Sequence, residues 1–492
     1  MASLKTLTAR SLKWNIADRV STQVLYAITG IVLARELSPS DFGLVGALLV
    51  FQSVALLFVD SGFSWALLQR KNPDDRDYST VYWFNLSMAC FLYAIAWVAM
   101  PAIAGLFHGG DELVDLGRLM FLSFPLTALS IVQNNRLTKQ MNVRPIAIVN
   151  FISLTIGGIV GIVMAVKGFG ARAIIWQTLT LNAAKAVGLG VVSKWKPQFY
   201  MSWPRLKGYM KVGLGMSGTS LLNVVFQNIY SFFIGNRAGL VPLGYYTQSD
   251  KWSKMGITAI TQVLTSTFLP ALAEVQDEDE RFVNVARRID RFTAYMLFPA
   301  MLWLIVMATP LFHLMFGTKW DASIPLFQLL LVRGVFTVLN SLYGNFILSK
   351  GHSRAIFLLE LLRDSVAIAA IIITLPMITL STTTNLTSGL QMFLWGQVIA
   401  SAVAWLVTLI YTARYTGIAT RELLADATPY LLVAALAAAA MIGISLLDLS
   451  PLATLSLQGV IGVAVYGFIC RFIPSSAQTF IIGHLRNRRR DD

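Results

Sequence analysis

The sequence predicts an all-α polytopic membrane protein: fourteen transmembrane helices arranged as two pseudo-symmetric six-helix lobes, with two additional C-terminal helices. Three observations predict it. Of 492 residues, 56% are hydrophobic and only 13% charged, against about 25% charged in an ordinary soluble domain. Apolar stretches long enough to cross roughly 30 Å of hydrocarbon recur along the whole chain, and helices satisfy their own backbone groups in that medium. A stretch near the N-terminal end is echoed 201 residues later.

The spans fall near 14–36, 42–68, 80–105, 114–136, 143–166, 170–192, 209–235, 241–273, 291–315, 323–349, 355–377, 388–412, 427–447 and 453–473, the second and eighth being the least sharply bounded. Only short hydrophilic connections separate them, which leaves no room for a soluble domain. Residues 1–13 carry Lys5, Arg10 and Lys13 without the apolar core and cleavage site of a signal peptide, so they read as a retained cytoplasmic segment. Cys90 and Cys470 both fall inside spans, as small buried hydrophobes rather than a disulfide.

Lys and Arg in the connections set the orientation. With the first connection outside, Arg35, Lys167, Arg172, Arg237 and Lys319 make 5 external bases, whereas 27 lie on the other side, among them Lys194, Lys196, Arg205, Lys207 and Lys211. That bias places both termini in the cytoplasm and requires an even number of spans. The net charge of +14 is then membrane anchoring and calls for no nucleic-acid partner. The tail Arg486, Arg488, Arg489 and Arg490 suits an anionic inner leaflet.

Taken in order, the spans carry distinct signals. In helix one, Asn15, Arg19, Thr22, Tyr26 and Thr29 advance by four, three, four and three residues, which keeps them on one face. The connection after it, "LARELSPSDFG" from Leu33 to Gly43, is echoed by "IGNRAGLVPLG" from Ile234 to Gly244, which sets Gly43 on Gly244. The same offset carries Arg19, Thr22 and Tyr26 onto Ser220, Asn223 and Gln227 of helix seven, whose stripe continues to Ser231. Both stripes turn somewhere other than lipid, as cavity lining or as interhelical packing. A repeat of six helices leaves the two halves parallel, related by an axis along the membrane normal. The lobes are therefore 1–208 and 209–413, and 414–492 adds two helices and the basic tail.

Seven bases lie at span depth: Arg19, Arg118, Lys185, Lys251, Lys254, Arg333 and Arg363. Each costs roughly 2.5–3.5 kcal/mol even on the lenient insertion scale, so such residues face protein or a wet cavity and mark a ligand or ion path. Asp18 stands beside Arg19, Asp115 three residues before Arg118, and Asp250 before Lys251, as local neutralisers. Glu360, Arg363 and Asp364 share a helical surface as an ion network. Lys185 and Arg333 have no opposite charge at helical spacing and need partners from elsewhere. Asp60, which opens "DSGFSWALLQRK", is a candidate coupling acid or a helix-end solubiliser.

The acids at comparable depth are fewer than the bases. A cavity with a positive surplus favours an anion, and Arg offers phosphate a bidentate fork. Lys251 and Lys254 share a helix face at a spacing that suits a diphosphate, unless they snorkel to an interface. His108, His313, His352 and His484 are scattered and form no metal signature, and no GxxxxGK[ST] loop is present. The sequence therefore calls for no metal, no cofactor and no catalytic group.

"LARELSPSDFGLVGAL", "DSGFSWALLQRK", "FLPALAEVQDEDERF" (Phe268 to Phe282) and "MFGTKWDASIPLFQLL" (Met315 to Leu330) resemble the signatures of bacterial polysaccharide flippases in the multidrug, oligosaccharidyl-lipid and polysaccharide exporter superfamily, most nearly the Wzx type of colanic-acid exporter. The resemblance runs over essentially the whole chain. It implies an inner-membrane flippase for undecaprenyl-pyrophosphate-linked oligosaccharide, working by alternating access between two six-helix lobes, with membrane lipids and a polysaccharide polymerase complex as partners. Arg19, Lys251 and Lys254 become headgroup contacts under that reading. Lys185 and Arg333 join them as substrate-binding bases, and Thr22, Tyr26, Asn223 and Gln227 as sugar contacts. Three rivals are a peptidoglycan lipid-precursor flippase, a drug or cation antiporter, and a membrane polysaccharide polymerase or ligase. The antiporter calls for acidic, aromatic walls, and the ligase for a catalytic external loop.

Overall fold

The computed structural model describes residues 4–60, 62–380, 386–447 and 449–472, so the tail arginines and His484 lie outside the described residues. Within them the chain is all helix: α1 Leu4–Glu36, α2 Pro39–Asp60, α3 Phe63–Gln69, α4 Asp75–Leu106, α5 Gly110–Met120, α6 Ser123–Lys139, α7 Val143–Val166, α8 Arg172–Ser193, α9 Trp203–Ala238 and α10 Leu240–Val263. After a π-helical turn, Leu264–Phe268, come α11 Leu269–Glu274, α12 Asp279–Phe316, α13 Ser323–Ser349, α14 Ser353–Leu380, α15 Leu386–Thr416, α16 Thr420–Ser445 and α17 Pro451–Cys470. Among the described residues, 11 helical runs are long and apolar enough to cross a membrane. The chain is therefore an all-α polytopic membrane protein. Three further long helices, α8, α9 and α14, fall outside that group; each carries ionisable side chains along its length.

Two compact units divide the chain, Met1–Gly244 and Tyr245–Asp492. In the first, α7 packs along α8 and α1, while α6 packs on α8 and α4. The glycines of α7 allow the approach: a Cβ on Gly157 would lie 2.8 Å from the Gln177 carbonyl oxygen, and one on Gly158 2.5 Å from Thr29 Cγ2. Between helices in lipid, van der Waals packing of small residues replaces the hydrophobic drive. The long α9 packs on α2, α3 and α4 and so belongs to this unit.

The start of α9 is clamped by charge. Asp74 caps α4 by accepting from the Asp77 backbone N–H at 2.7 Å, and the Asp77 carboxylate accepts from the Asp74 N–H at 3.1 Å, a reciprocal capping box. Arg205 donates to Asp74 at 2.6 Å and to Asp77 at 2.9 Å, and Arg70 reaches Asp77 at 3.1 Å and the Tyr209 hydroxyl at 2.6 Å. Tyr78, Tyr82 and Trp195 pack as an edge-on aromatic group beside it. The hydrogen bonds from Arg205 hold Asp74 down to about 2, from an ordinary 3.8. A depressed carboxylate stabilises the fold above its unfolded value and loses that contribution as pH falls through the folded value. The clamp is thus expected to weaken between pH 3.8 and about 2. Tryptophan fluorescence of Trp195 through an acid titration checks it; Asp74→Asn should remove that part of the transition, and an unchanged profile would count against the clamp.

At the other end of α9, Asn236 donates to the Leu106 carbonyl at 2.6 Å, and Phe107 stacks edge-on with Phe51 and Phe232. Here the sequence repeat becomes a contact. A Cβ on Gly43 would stand 1.8 Å from the Leu240 carbonyl oxygen, and a Cβ on Gly244 1.8 Å from that of Pro39. Pro39 and Leu240 are separated by the same 201 residues as Gly43 and Gly244. The equivalent helix starts cross backbone to backbone, each using its glycine to admit the other's carbonyl.

The second unit is built on α12, which packs against α13, α16 and α17, with α14 and α15 layered beyond α13. Ser249 bridges α10 to α13 by donating to the Ser323 carbonyl at 2.8 Å. Gln458 ties α17 to α16 through Met441 and Ser445, and Tyr466 ties α17 to α12 through the Tyr295 carbonyl at 2.8 Å. Cys90 is exposed rather than buried, Cys470 is buried, and both are free thiols.

Candidate functional site

In the first unit the polar face of α1 meets α7 and α8. Asn150 on α7 donates to both Asp18 oxygens at 3.2 Å. The same carboxylate acts on the half-buried Lys185 ammonium of α8. Lys185 thus obtains from another helix the opposite charge that its own helix lacks. Asp18, which the sequence sets beside Arg19, is turned toward Asn150 and Lys185. Arg19 and Tyr26 are exposed, Thr22 is half-buried, and Thr29 is buried with its hydroxyl on the Leu25 carbonyl. On α9, Asn223 and Gln227 are exposed, Ser220 half-buried and Ser231 buried.

In the second unit Lys254 pairs with Asp250, one helical turn before it, at 2.6 Å. Adjacency in the sequence points that acid to Lys251 instead. Lys251 is exposed, its ammonium 5.7 Å from the centre of the Trp252 ring. Arg333 is half-buried, and its Nε is buried without a hydrogen-bond partner.

The remaining sequence candidates are held in local contacts. Asp60 accepts from Ser64, which accepts in turn from Asn135 at 2.6 Å, linking α2, α3 and α6. Arg363 pairs with Asp364 at 2.9 Å, and Glu360 lies exposed outside that pair. Arg118 sits 4.8 Å over the Trp97 ring rather than on Asp115. Among the described residues no group of His, Cys, Asp and Glu is placed to hold a metal ion.

Sequence reasoning missed Asn150 and a buried cluster around Asp290. Asn150 is a polar side chain inside the apolar stretch 143–166, a signal that was available. Asp290 hides in "ARRIDRF", whose charges read as a solvated connection.

A family model for polysaccharide biosynthesis proteins matches residues 32–325. The chain belongs to the polysaccharide biosynthesis protein family. The succinoglycan biosynthesis transport protein ExoT of Rhizobium meliloti (strain 1021) is 26% identical over 334 residues, 68% of this chain and 67% of that one. The lipopolysaccharide biosynthesis protein WzxC of Escherichia coli (strain K12) is 23% identical over 373 residues, covering 75% and 76%. Among solved structures, the lipid II flippase MurJ in an inward closed conformation superposes with a TM-score of 0.69, at 15% identity over 93% of this chain and 97% of that one. This polysaccharide biosynthesis protein therefore has the helical fold of that flippase, and the resemblance to Wzx-type exporters in its motifs is borne out.

Proposed function

We propose that this protein carries undecaprenyl-pyrophosphate-linked oligosaccharide from the cytoplasmic to the periplasmic leaflet of the bacterial inner membrane by alternating access. The observation that carries the reading is the set of basic side chains at span depth, Lys185, Lys251 and Arg333 foremost, in a chain of this family. The reading takes α8, α9 and α14 together with the 11 apolar runs as fourteen spans. Both termini are then cytoplasmic, and the sequence repeat divides the spans into six-helix lobes 1–208 and 209–413 flanked by 414–492, although α9, the first span of the second lobe, packs on α2, α3 and α4 of the first.

The physical task is to move a diphosphate and several sugars past hydrocarbon, where each unpaired polar group costs several kcal/mol. Basic groups take the diphosphate, because a charge-assisted hydrogen bond is about twice as strong as a neutral one. Thr22, Tyr26, Asn223 and Gln227 offer hydroxyl and amide groups to the sugars, and the polyprenyl tail stays in lipid. A polymerase complex would consume the product outside.

Purified protein in liposomes, given lipid-diphosphate oligosaccharides of different glycans with and without ion gradients, tests the reading. Flipping of oligosaccharide-bearing lipids supports it. Selective flipping of a peptidoglycan precursor, or glycan elongation, would replace it. Within this assay Lys251→Gln is expected to slow flipping about tenfold or more, the worth of one charged hydrogen bond of ~1.5–3 kcal/mol. Lys254→Gln should do less, because Asp250 already holds that ammonium. Equal or reversed effects would remove Lys251 from the headgroup site.

A further inference from the structure

Asp290 on α12 is fully buried, and neither of its oxygens has a hydrogen-bond partner of good geometry. Four groups face it: the buried Tyr343 of α13, Asp426 of α16, and Arg287 and Arg291 of its own helix. Glu422 of α16 stands behind Arg287. From α17 come Tyr466, whose hydroxyl is held by the Tyr295 carbonyl, and Cys470 beside it; from α11 comes Glu274, which is exposed. Arg288 is exposed on α12.

Both guanidinium groups are already committed to α16. Arg287 donates through Nε to Asp426 at 2.7 Å and through Nη2 at 3.2 Å, and lies 3.5 Å from Glu422. Arg291 Nε is 3.0 Å from Asp426. Two positive charges thus meet two carboxylates, and the latch is balanced without Asp290. A third carboxylate, out of water and without a cation of its own, is strongly disfavoured as an anion.

We propose that Asp290 is a proton-binding site, and that its proton governs the ion-pair latch joining α12 to α16. With the proton bound, the side chain is a neutral acid beside the Tyr343 hydroxyl, and Arg287 and Arg291 remain on Asp426. Release of the proton to water leaves a carboxylate three residues after Arg287 and next to Arg291. It then competes with Asp426 for the same guanidinium groups. The contact between α12 and α16 loosens, and α17 moves with α16 through Gln458. This site does not depend on which cargo the protein carries.

Infrared spectroscopy of the full chain in nanodiscs reads the proton directly. At neutral pH the carbonyl stretch of a protonated carboxylic acid is expected in the wild type and lost in Asp290→Asn; in Asp426→Asn, which leaves Arg287 and Arg291 free to pair with Asp290, it should disappear at a lower pH than in the wild type. As pH rises and the band disappears, α16 amides should exchange about tenfold faster than those of Asp290→Asn at the same pH. Asp426→Asn should open the latch at every pH. A band that survives Asp290→Asn, or exchange profiles that coincide in the two proteins, would overturn the proposal. Asparagine matches the neutral acid in shape; were that variant not to fold, absence of the band from the wild type at neutral pH would overturn it alone.

Discussion

Alanine at Gly43 or at Gly244 is expected to destabilise the protein by more than a typical surface change, lowering its melting temperature in detergent and its transport together. The added Cβ would stand 1.8 Å from a carbonyl oxygen, Leu240 in one case and Pro39 in the other. A flexible side chain could swing aside; a helix-start backbone cannot. Overpacking of this kind costs about 1–3 kcal/mol, and more when the obstruction is rigid. The loss must appear as separation of α2 from α10, because nothing else at the crossing can yield. Gly105 supplies the control. A Cβ there meets nothing within 4 Å, so Gly105→Ala in α4 should be neutral or stabilising, by up to about 1 kcal/mol from helix propensity. Since the two contacts are related by the repeat, the two alanine variants should melt alike. If both melt with the wild type, the crossing is not close-packed in the membrane.

The crossing also shows what a single sequence can and cannot disclose. Gly43 and Gly244 were visible as a register match, because a repeat is a one-dimensional property. That they meet is three-dimensional: each accepts the carbonyl four residues before the other, and neither spacing nor composition encodes that approach. The helices were legible for the same reason. Apolar runs of span length must form helices in lipid, so element identity follows from hydrophobicity alone. Boundaries were less so. The second expected span is split into α2 and α3 at Gly62, which takes a left-handed backbone of φ 69°. The eighth is broken by the π-helical turn before Pro270.

Charge partners were legible only along a helix. Lys254 and Asp250 are four apart, one helical turn, the spacing at which side chains stack on a helical surface, whereas adjacency in the sequence points to Lys251. Lys185 has no opposite charge at helical spacing on its own helix, and the sequence calls for a partner from another helix, water or a substrate. Which helix could not be inferred, since Asp18 lies 167 residues away in sequence. The Asp290 cluster joins α12, α13 and α16, so its burial was invisible where its charges were plain.

Lys185→Gln is expected to slow translocation of a lipid-diphosphate oligosaccharide by about ten- to a hundredfold, and a double-mutant cycle with Asp18→Asn tells why. Asp18 and Lys185 are both half-buried and act on each other through space rather than as a contact pair, so removing one leaves its partner short of counter-charge at a cost below the roughly 3–5 kcal/mol of a broken buried pair. Asn150 still holds Asp18. Each single variant should therefore melt lower than wild type, and Asp18→Asn/Lys185→Gln should recover much of that loss, because no unpaired charge remains. Transport should separate from stability. If the ammonium serves the diphosphate, the double variant stays as slow as Lys185→Gln despite its restored melting temperature. If Lys185 is only the counter-ion of Asp18, the neutral pair flips at nearly the wild-type rate. Lys185→Arg sharpens the choice: it keeps the charge and offers phosphate a fork, so it should retain most transport under the first account. Asp18→Asn alone then frees the ammonium for cargo, and tighter substrate binding with slower release is the expected signature.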